Sequence, residues 1–215
     1  MKKALILTKR EIVVPTAFGW VLIFTLLALF FTLLIFNIQS YLSPTAPVRG
    51  NALIVEGWMR DDAMEMVVDI FNERDYEYVF VTGGVLEEGS FLSDYGTYAH
   101  LGAATLNALG IADTFLHSVP APQVRKDRTL TSALALKEML EQMDHNFISF
   151  DLCSFDVHSR RSGHLFRTVL GKEYTIGIIA IPDSSYDPAK WWNSSAGFRN
   201  VVSEGIAYMY ARLFF

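Results

Sequence analysis

The segment ALIVEGW, residues 52–58, contains the first of several short apolar runs that stop abruptly at polar or glycine residues. Its apolar part, Ala52 to Val55, predicts a strand buried on both faces, because a strand covered by helices on both sides needs no polar face. Residues 60–74 follow with apolar side chains at helical spacing and predict a helix. A strand followed by a helix is therefore the first predicted unit of the chain after residue 50.

The same alternation continues to the C-terminus and predicts an α/β fold. The predicted strands are residues 52–55, 78–82, 115–119, 147–153 and 174–181, and the predicted helices are 60–74, 94–109, 129–143, 159–170 and 197–215. This order is typical of βαβ units with right-handed crossovers, so we expect a Rossmann-like, doubly wound, mainly parallel sheet. Such sheets bind ligands outside the carboxyl ends of their strands.

The composition excludes several classes of protein. The chain of 215 residues has a net charge of -5, so broad electrostatic binding to nucleic acid is not expected. Its single cysteine, Cys153, excludes an internal disulfide framework and a cysteine-based zinc site. No cofactor is assigned, and no metal site is predicted, since metal-ligand spacing is not found among the histidines His100, His117, His145, His158 and His164.

Residues 19–38 form an apolar stretch without a charged side chain. At about 1.5 Å of rise per residue, a helix of this length spans about 30 Å, which is the thickness of the hydrocarbon core of a bilayer. The alternative to a membrane anchor is a cleaved signal peptide. The stretch is longer than the apolar core of an ordinary signal peptide, which favours the anchor. We therefore expect an uncleaved membrane anchor with the lipid bilayer as its partner.

The charges beside this stretch predict its orientation. Only Arg49 follows it closely, whereas four basic residues precede it: Lys2, Lys3, Lys9 and Arg10. The positive-inside rule then keeps the N-terminus in the cytoplasm. The expected organisation is a cytoplasmic segment 1–11, a transmembrane anchor 12–40, a linker 41–50 and an extracytoplasmic α/β domain 51–215.

The residues that follow the predicted strands are candidates for a ligand site. Glu56 and His158 are the candidate acid or base groups, because carboxylate and imidazole transfer protons near neutral pH. An arginine near a helix N-terminus can hold phosphate or carboxylate through parallel hydrogen bonds. The candidate ligand-binding residues are Gly57, Thr82, Gly83, Gly84, Arg128, Thr129 and Arg161, with Arg125 and Lys126 beside them.

Each of these residues also has a purely structural interpretation. Gly83 and Gly84 could form a tight turn, Thr129 could cap the next helix, and Arg160 and Arg161 could be solvated or ion-paired. Ser159, Ser162 and Cys153 are nucleophiles only by residue type. The pair Trp191-Trp192 suits a lid or a sugar-stacking platform, but equally a core plug or a contact with the membrane interface.

The order and spacing of these motifs resemble the YdcF/SanA/ElyC family of bacterial envelope-associated domains. The resemblance covers roughly residues 51–215 and rests on four segments: LIVEG at 53–57, TGG at 82–84, RT at 128–129 and HSRR at 158–161. The chain departs from the family where Thr131 and Ser132 replace a Glu-Asn pair. The resemblance implies a Rossmann-like domain, often behind a membrane anchor, with roles in envelope integrity or polysaccharide metabolism. S-adenosylmethionine, bound by one cytoplasmic-type member, is not expected outside the cytoplasm.

The leading hypothesis is a single-pass protein of the bacterial inner membrane. Its periplasmic or extracytoplasmic domain is expected to bind an anionic envelope intermediate, such as a phosphorylated or polyprenyl-phosphate-linked glycan, and to catalyse phosphoryl or glycosyl transfer or hydrolysis. In this hypothesis Arg128, His158 and Arg161 hold the anion, and Glu56 is a general base. The alternative is a non-catalytic scaffold or accessory subunit of a membrane-protein complex, held by the anchor and the apolar C-terminal helix.

Overall fold

The computed structural model describes residues 13–87, 89, 91–143 and 148–215. The predicted segment 1–11, together with His145 and Phe147, lies outside the described residues. The chain divides after Asn37, so that Ile38–Phe215 form one unit. Helix α1 (Ala17–Leu42) is long and apolar enough to cross a membrane. It runs two residues beyond the predicted end of the anchor.

Five parallel strands form one sheet in the second unit. They are β1 (Ala52–Glu56), β2 (Tyr78–Gly83), β3 (Leu116–Pro120), β4 (Ser149–Phe155) and β5 (Thr175–Ile181), in the order β3-β2-β1-β4-β5. The chain adds strands on one side of β1 and then crosses to its other side at β4. This reversal is the topological switch point at which open α/β sheets bind ligands. The predicted Rossmann-like fold is confirmed.

Helices cover both faces of the sheet. They are α2 (Asp61–Asn72), α3 (Tyr98–Ala108), α4 (Arg128–Gln142) and α5 (Ser159–Leu170), followed by the C-terminal helix α6 (Ser195–Phe214). Side chains of α2 and α3 pack with Leu53 and Val55 of β1, whereas those of α4 and α5 pack with Ile54 on the opposite face. Every residue of β1 is buried as a result.

The ends of α3 show how local chemistry sets a helix boundary. The helix starts four residues later than predicted, because Thr97 caps it by accepting a hydrogen bond from the backbone N–H of His100. At the other end the predicted cap, Gly110, has a φ of 113°. Its N–H donates to Asn107 and the next N–H, of Ile111, donates to Leu106. This is the Schellman arrangement that favours glycine.

The predicted linker is ordered along the edge of the sheet. After α1 ends at Leu42, Ala46 pairs in antiparallel fashion with Ile178 of β5. Among the described residues, short 3-10 segments at Asp113–Phe115, Asp156–His158 and Pro188–Asn193 were not predicted from periodicity, and the last of them is kinked at Lys190.

A buried carboxylate ties this linker to the sheet. Asp151, in β4, is completely buried, and it accepts hydrogen bonds from the backbone N–H of Val48 at 2.7 Å and from the hydroxyl of Tyr76 at 2.9 Å. The Arg74 guanidinium completes the set with a 3.2 Å ion pair. A Cβ at Gly177 of β5 would lie 2.3 Å from the carboxylate of Asp151. Only glycine at position 177 therefore leaves room for this carboxylate.

We expect Asp151→Asn to lower the free energy of unfolding by about 2 to 3 kcal/mol, because Arg74 loses its charged partner and the new amide nitrogen faces other donors. Denaturant unfolding of the full chain in detergent micelles measures this difference. Asp75→Asn is the matched control, since Asp75 is exposed in the same part of the chain. Equal unfolding midpoints for the two variants would contradict the structural role of Asp151.

Candidate functional site

A cavity of about 780 Å³ opens at the carboxyl ends of the strands. Its wall contains the ends of β1 and β2, the loop after β3 and the N-termini of α4 and α5, and it is completed by Glu204 of α6. The loop residues include Arg125 and Lys126. Of the predicted site residues, the cavity brings together Glu56, Gly83, Gly84, Arg128, Thr129, His158 and Arg161.

Glu56 lines the floor of this cavity. The side chain ends β1 with only 2% of its surface exposed, and its carboxylate accepts hydrogen bonds from Ser154 of β4 and from Ser162 of α5. Burial raises the pKa of Glu56, but nearby His158 and the two serine hydroxyls outweigh it and lower the pKa below its usual value. Glu56 is therefore ionised, and these contacts favour a role in holding His158 over the predicted role of a general base.

His158 lies between two carboxylates. Its Nε2 is 3.6 Å from Oε1 of Glu56 and its Nδ1 is 3.1 Å from Oε1 of Glu204. The edge of the ring also meets the Trp58 indole, with the ring centroids 5.0 Å apart. Burial alone would lower the pKa of His158, but the two carboxylates raise it to about 9. The imidazolium form therefore predominates at neutral pH.

Arg161 lines the cavity and forms an ion pair with Glu204. Its Nε and Nη2 donate to the two carboxylate oxygens of Glu204 at 2.9 and 3.0 Å, which is a bidentate ion pair. Burial raises the pKa of Glu204, but hydrogen bonds from His158 and Arg161 dominate and lower it to about 2. Two of the five N–H donors of Arg161 are thus directed at Glu204, although the side chain also lines the cavity.

The same contacts accommodate both protonation states of His158. Nη2 of Arg161 lies 2.9 Å from Nδ1 of His158, which can accept this hydrogen bond only in the neutral ring. In the charged ring, Nδ1 carries a proton and donates to Glu204 instead. Loss of the Nδ1 proton therefore exchanges one hydrogen bond for another at this nitrogen.

The predicted Gly-Gly turn serves packing more than ligand binding. Neither Gly83 nor Gly84 has a positive φ. A Cβ at Gly83 would lie 2.8 Å from the backbone nitrogen of Ala99, and one at Gly57 would lie 2.3 Å from the carbonyl oxygen of Tyr98. These two glycines let the start of α3 approach the strand ends. Of these three glycines, only Gly84 faces open space.

Thr82 and Thr129 differ in their position relative to the cavity. Thr82 is buried, is not part of the cavity wall, and directs its hydroxyl to the Val55 carbonyl. Thr129 does not cap α4, which starts after Asp127 without a side-chain cap. Its Oγ1 lies 3.4 Å from Nε2 of His158 instead. Thr129 therefore belongs to the immediate surroundings of the imidazole.

Three cationic side chains line the cavity near the start of α4. Arg125 and Lys126 are exposed in the loop that leads into α4, and Arg128, the exposed first residue of this helix, pairs with Glu87. The first backbone N–H groups of α4 point out of the same helix end without a capping side chain. Cationic side chains at a helix N-terminus favour an anionic ligand.

Other candidate nucleophiles and aromatic residues have structural roles. Ser162 donates to Glu56, and Ser159 donates to the Ser154 carbonyl. Burial raises the pKa of the Cys153 thiol. Trp191 is 6% exposed and packs with Leu42 and other residues beneath α6, so it is a core residue rather than a lid.

Two important members of the site were absent from the sequence-based prediction. Glu204 lies in the middle of the last helix and follows no strand, so the strand-end rule could not identify it. Trp58 does follow β1, but an isolated tryptophan carries no chemical signature of its own. Both side chains contact His158.

Comparison with known proteins adds no relative to this description. No family model matches the chain, and no curated protein matches it significantly.

The charged site predicts a specific pH dependence of stability. The pKa of His158 is raised from 6.5 to about 9 in the folded protein, so its contribution is fully present below the lower value and is lost as the pH rises through the higher one. Wild type should therefore lose more stability than His158→Gln between about pH 6 and about pH 10. Chemical unfolding of both proteins across this range measures the difference.

His100→Gln is the control for this experiment, because His100 is an exposed histidine on α3 that does not line the cavity. Its stability profile should run parallel to that of wild type. Parallel profiles for wild type and His158→Gln would show that the two carboxylates do not hold a charged imidazole.

Proposed function

We propose that this chain is a membrane-anchored extracytoplasmic domain that binds a phosphorylated, anionic intermediate of the cell envelope. The observation that carries the proposal is the cavity at the switch point, where a charged His158 and the cations of the loop 125–128 face the same space. Phosphate groups suit this arrangement, since they accept several charge-assisted hydrogen bonds at once. A sugar or lipid portion would extend across the apolar parts of the wall, Trp58, Val85 and Leu86.

The chemistry proposed for the site is phosphoryl or glycosyl transfer or hydrolysis. Water or an acceptor hydroxyl attacks the phosphorus or the anomeric carbon and releases its proton to solvent, and the bond to the leaving oxygen breaks. His158 gives its Nε2 proton to that oxygen, because its raised pKa keeps it protonated at neutral pH. Glu56 and Glu204 stabilise the imidazolium before the transfer. The loop cations and the start of α4 hold the charge of the phosphate.

The membrane context of the proposal rests on α1 and on the charges near it. The helix is long and apolar enough to span a bilayer, and the basic residues that precede it favour a cytoplasmic N-terminus. We place the protein in the bacterial inner membrane with its α/β domain outside the cytoplasm. We include in this proposal the resemblance of four segments to the YdcF/SanA/ElyC family, whose domains often follow a membrane anchor.

Ligand binding can be tested with matched phosphorylated and unphosphorylated probes. The full chain in detergent micelles is titrated with polyprenyl monophosphate and polyprenol, and with glucose 1-phosphate and glucose, while the unfolding temperature is recorded. A phosphorylated probe should raise the unfolding temperature and its unphosphorylated partner should not, because only the native state binds the anion. Equal shifts from both members of each pair, or no shift at all, would contradict the proposal.

A charge-removing variant locates the binding site. Arg125→Gln combined with Lys126→Gln should weaken binding of the phosphorylated probe about tenfold, or about 1.4 kcal/mol. Lys172→Gln removes an equally exposed cation outside the cavity wall and should bind as wild type does. If Lys172→Gln weakened binding as much as the double variant, the affinity would come from overall charge and not from this cavity.

The proposed orientation can be tested by labelling with a membrane-impermeant maleimide. The only native cysteine, Cys153, is buried, so background labelling should be low. Lys172→Cys lies in the α/β domain and should react in intact spheroplasts, whereas Lys2→Cys should react only after the membrane is permeabilised. The reverse pattern would overturn the orientation.

A further inference from the structure

Helix α6 carries an apolar stripe on the face that points away from the domain. The stripe consists of residues three or four positions apart, all of them exposed: Phe198, Val202, Ile206, Met209 and Leu213. The opposite face of the helix is buried at Val201 and Ala211. Leu213 is 76% exposed, which is unusual for a large aliphatic residue in an ordered helix. A contiguous exposed apolar surface of this kind marks an interaction site.

The last turn of α1 lies directly against α6. Leu42 is 1% exposed and belongs to the same buried cluster as Val201. The hydroxyl groups of Tyr41 and Tyr208 are 3.4 Å apart, and their rings meet edge to face. The apolar run of α1 ends at Ile38. If α1 spans a bilayer, the surface of that bilayer must therefore pass close to α6.

Arginine side chains surround the same junction. The Arg160 guanidinium lies 3.8 Å from the ring centroid of Tyr41 and donates to the Tyr41 carbonyl. Arg212 is exposed nearby, and the exposed Arg167 donates from Nε and Nη2 to the Ile176 carbonyl. Both arginines lie close enough to His164 to add to the lowering of its pKa, which burial dominates. A cationic group beside an exposed apolar helix is typical of helices that lie on anionic membranes.

We infer that α6 lies in the interface of an anionic phospholipid bilayer, the same bilayer that α1 crosses. The stripe residues enter the boundary between headgroups and acyl chains, while Arg160 and Arg212 face the lipid phosphates. This inference depends on membrane insertion of α1 and is independent of the ligand proposed for the cavity. A two-fold dimer on this face is less favourable, because it would bring the arginine groups of the two copies together.

The test uses single fluorescent labels on the full chain in nanodiscs. A nitrobenzoxadiazole label is attached to Met209→Cys on the stripe or, as the matched control, to Ser203→Cys on a different exposed side of the same helix. Lipids that carry a nitroxide near the headgroup quench only labels within the interface. We expect quenching at position 209 to be several-fold stronger than at 203, and stronger with phosphatidylglycerol than with phosphatidylcholine. Arg212→Gln should reduce that lipid dependence.

Every other outcome would overturn the inference. Equal lipid quenching at the two positions would show that the stripe does not contact the bilayer. A label at position 209 that is protected from water but not quenched by lipid, together with cross-linking between copies through Met209→Cys, would assign the stripe to self-association. Failure of the chain to enter nanodiscs would remove the bilayer as a partner of both helices. None of these results depends on ligand binding in the cavity.

Discussion

The buried charge of Glu56 is the constraint to which the other parts of the site respond. A carboxylate with 2% exposure at the end of a central strand is stable only if neighbouring groups replace its hydration. Ser154 of the neighbouring strand β4 and Ser162 of α5 donate hydrogen bonds to the carboxylate, and His158 adds a positive charge. The charge on His158 in turn requires Glu204. One buried carboxylate thus fixes the positions of β4, α5 and α6 relative to β1.

The fold followed from the sequence because its signals are local. Short, mainly apolar runs identified all five strands, and the predicted bounds of α5, residues 159–170, agree with the structure. The strand order could not be derived in this way, since it depends on which strand pairs with β1 across the sheet. The 3-10 turn at Asp156–His158 was also unpredictable, because it is held by distant groups: Gln39 and Tyr186 both donate to the Asp156 carboxylate.

The site residues whose positions follow from chain topology were predicted from the sequence. Those whose positions depend on how distant helices pack were not. The rule that parallel strands end at one edge placed Glu56, His158 and the loop before α4 together. The same rule assigned ligand roles to Gly57 and Thr82, whose neighbours show that they serve packing and a backbone hydrogen bond. Glu204 was missed because a terminal helix can dock in many ways. Its docking also determines whether Arg161 is available to a ligand.

Helix α6 connects the two surfaces on which a membrane function would depend. Glu204 projects from its buried side into the cavity, while Ile206 and Met209 project from its exposed side. A helix of 20 residues is a rigid body of about 30 Å, so a force on one face is transmitted to the other. If lipid contacts fix the position of the exposed face, they also fix the position of Glu204. Glu204 in turn stabilises the charged form of His158. A cavity arranged in this way would be completed at the bilayer surface, which is where a lipid-linked phosphate is presented.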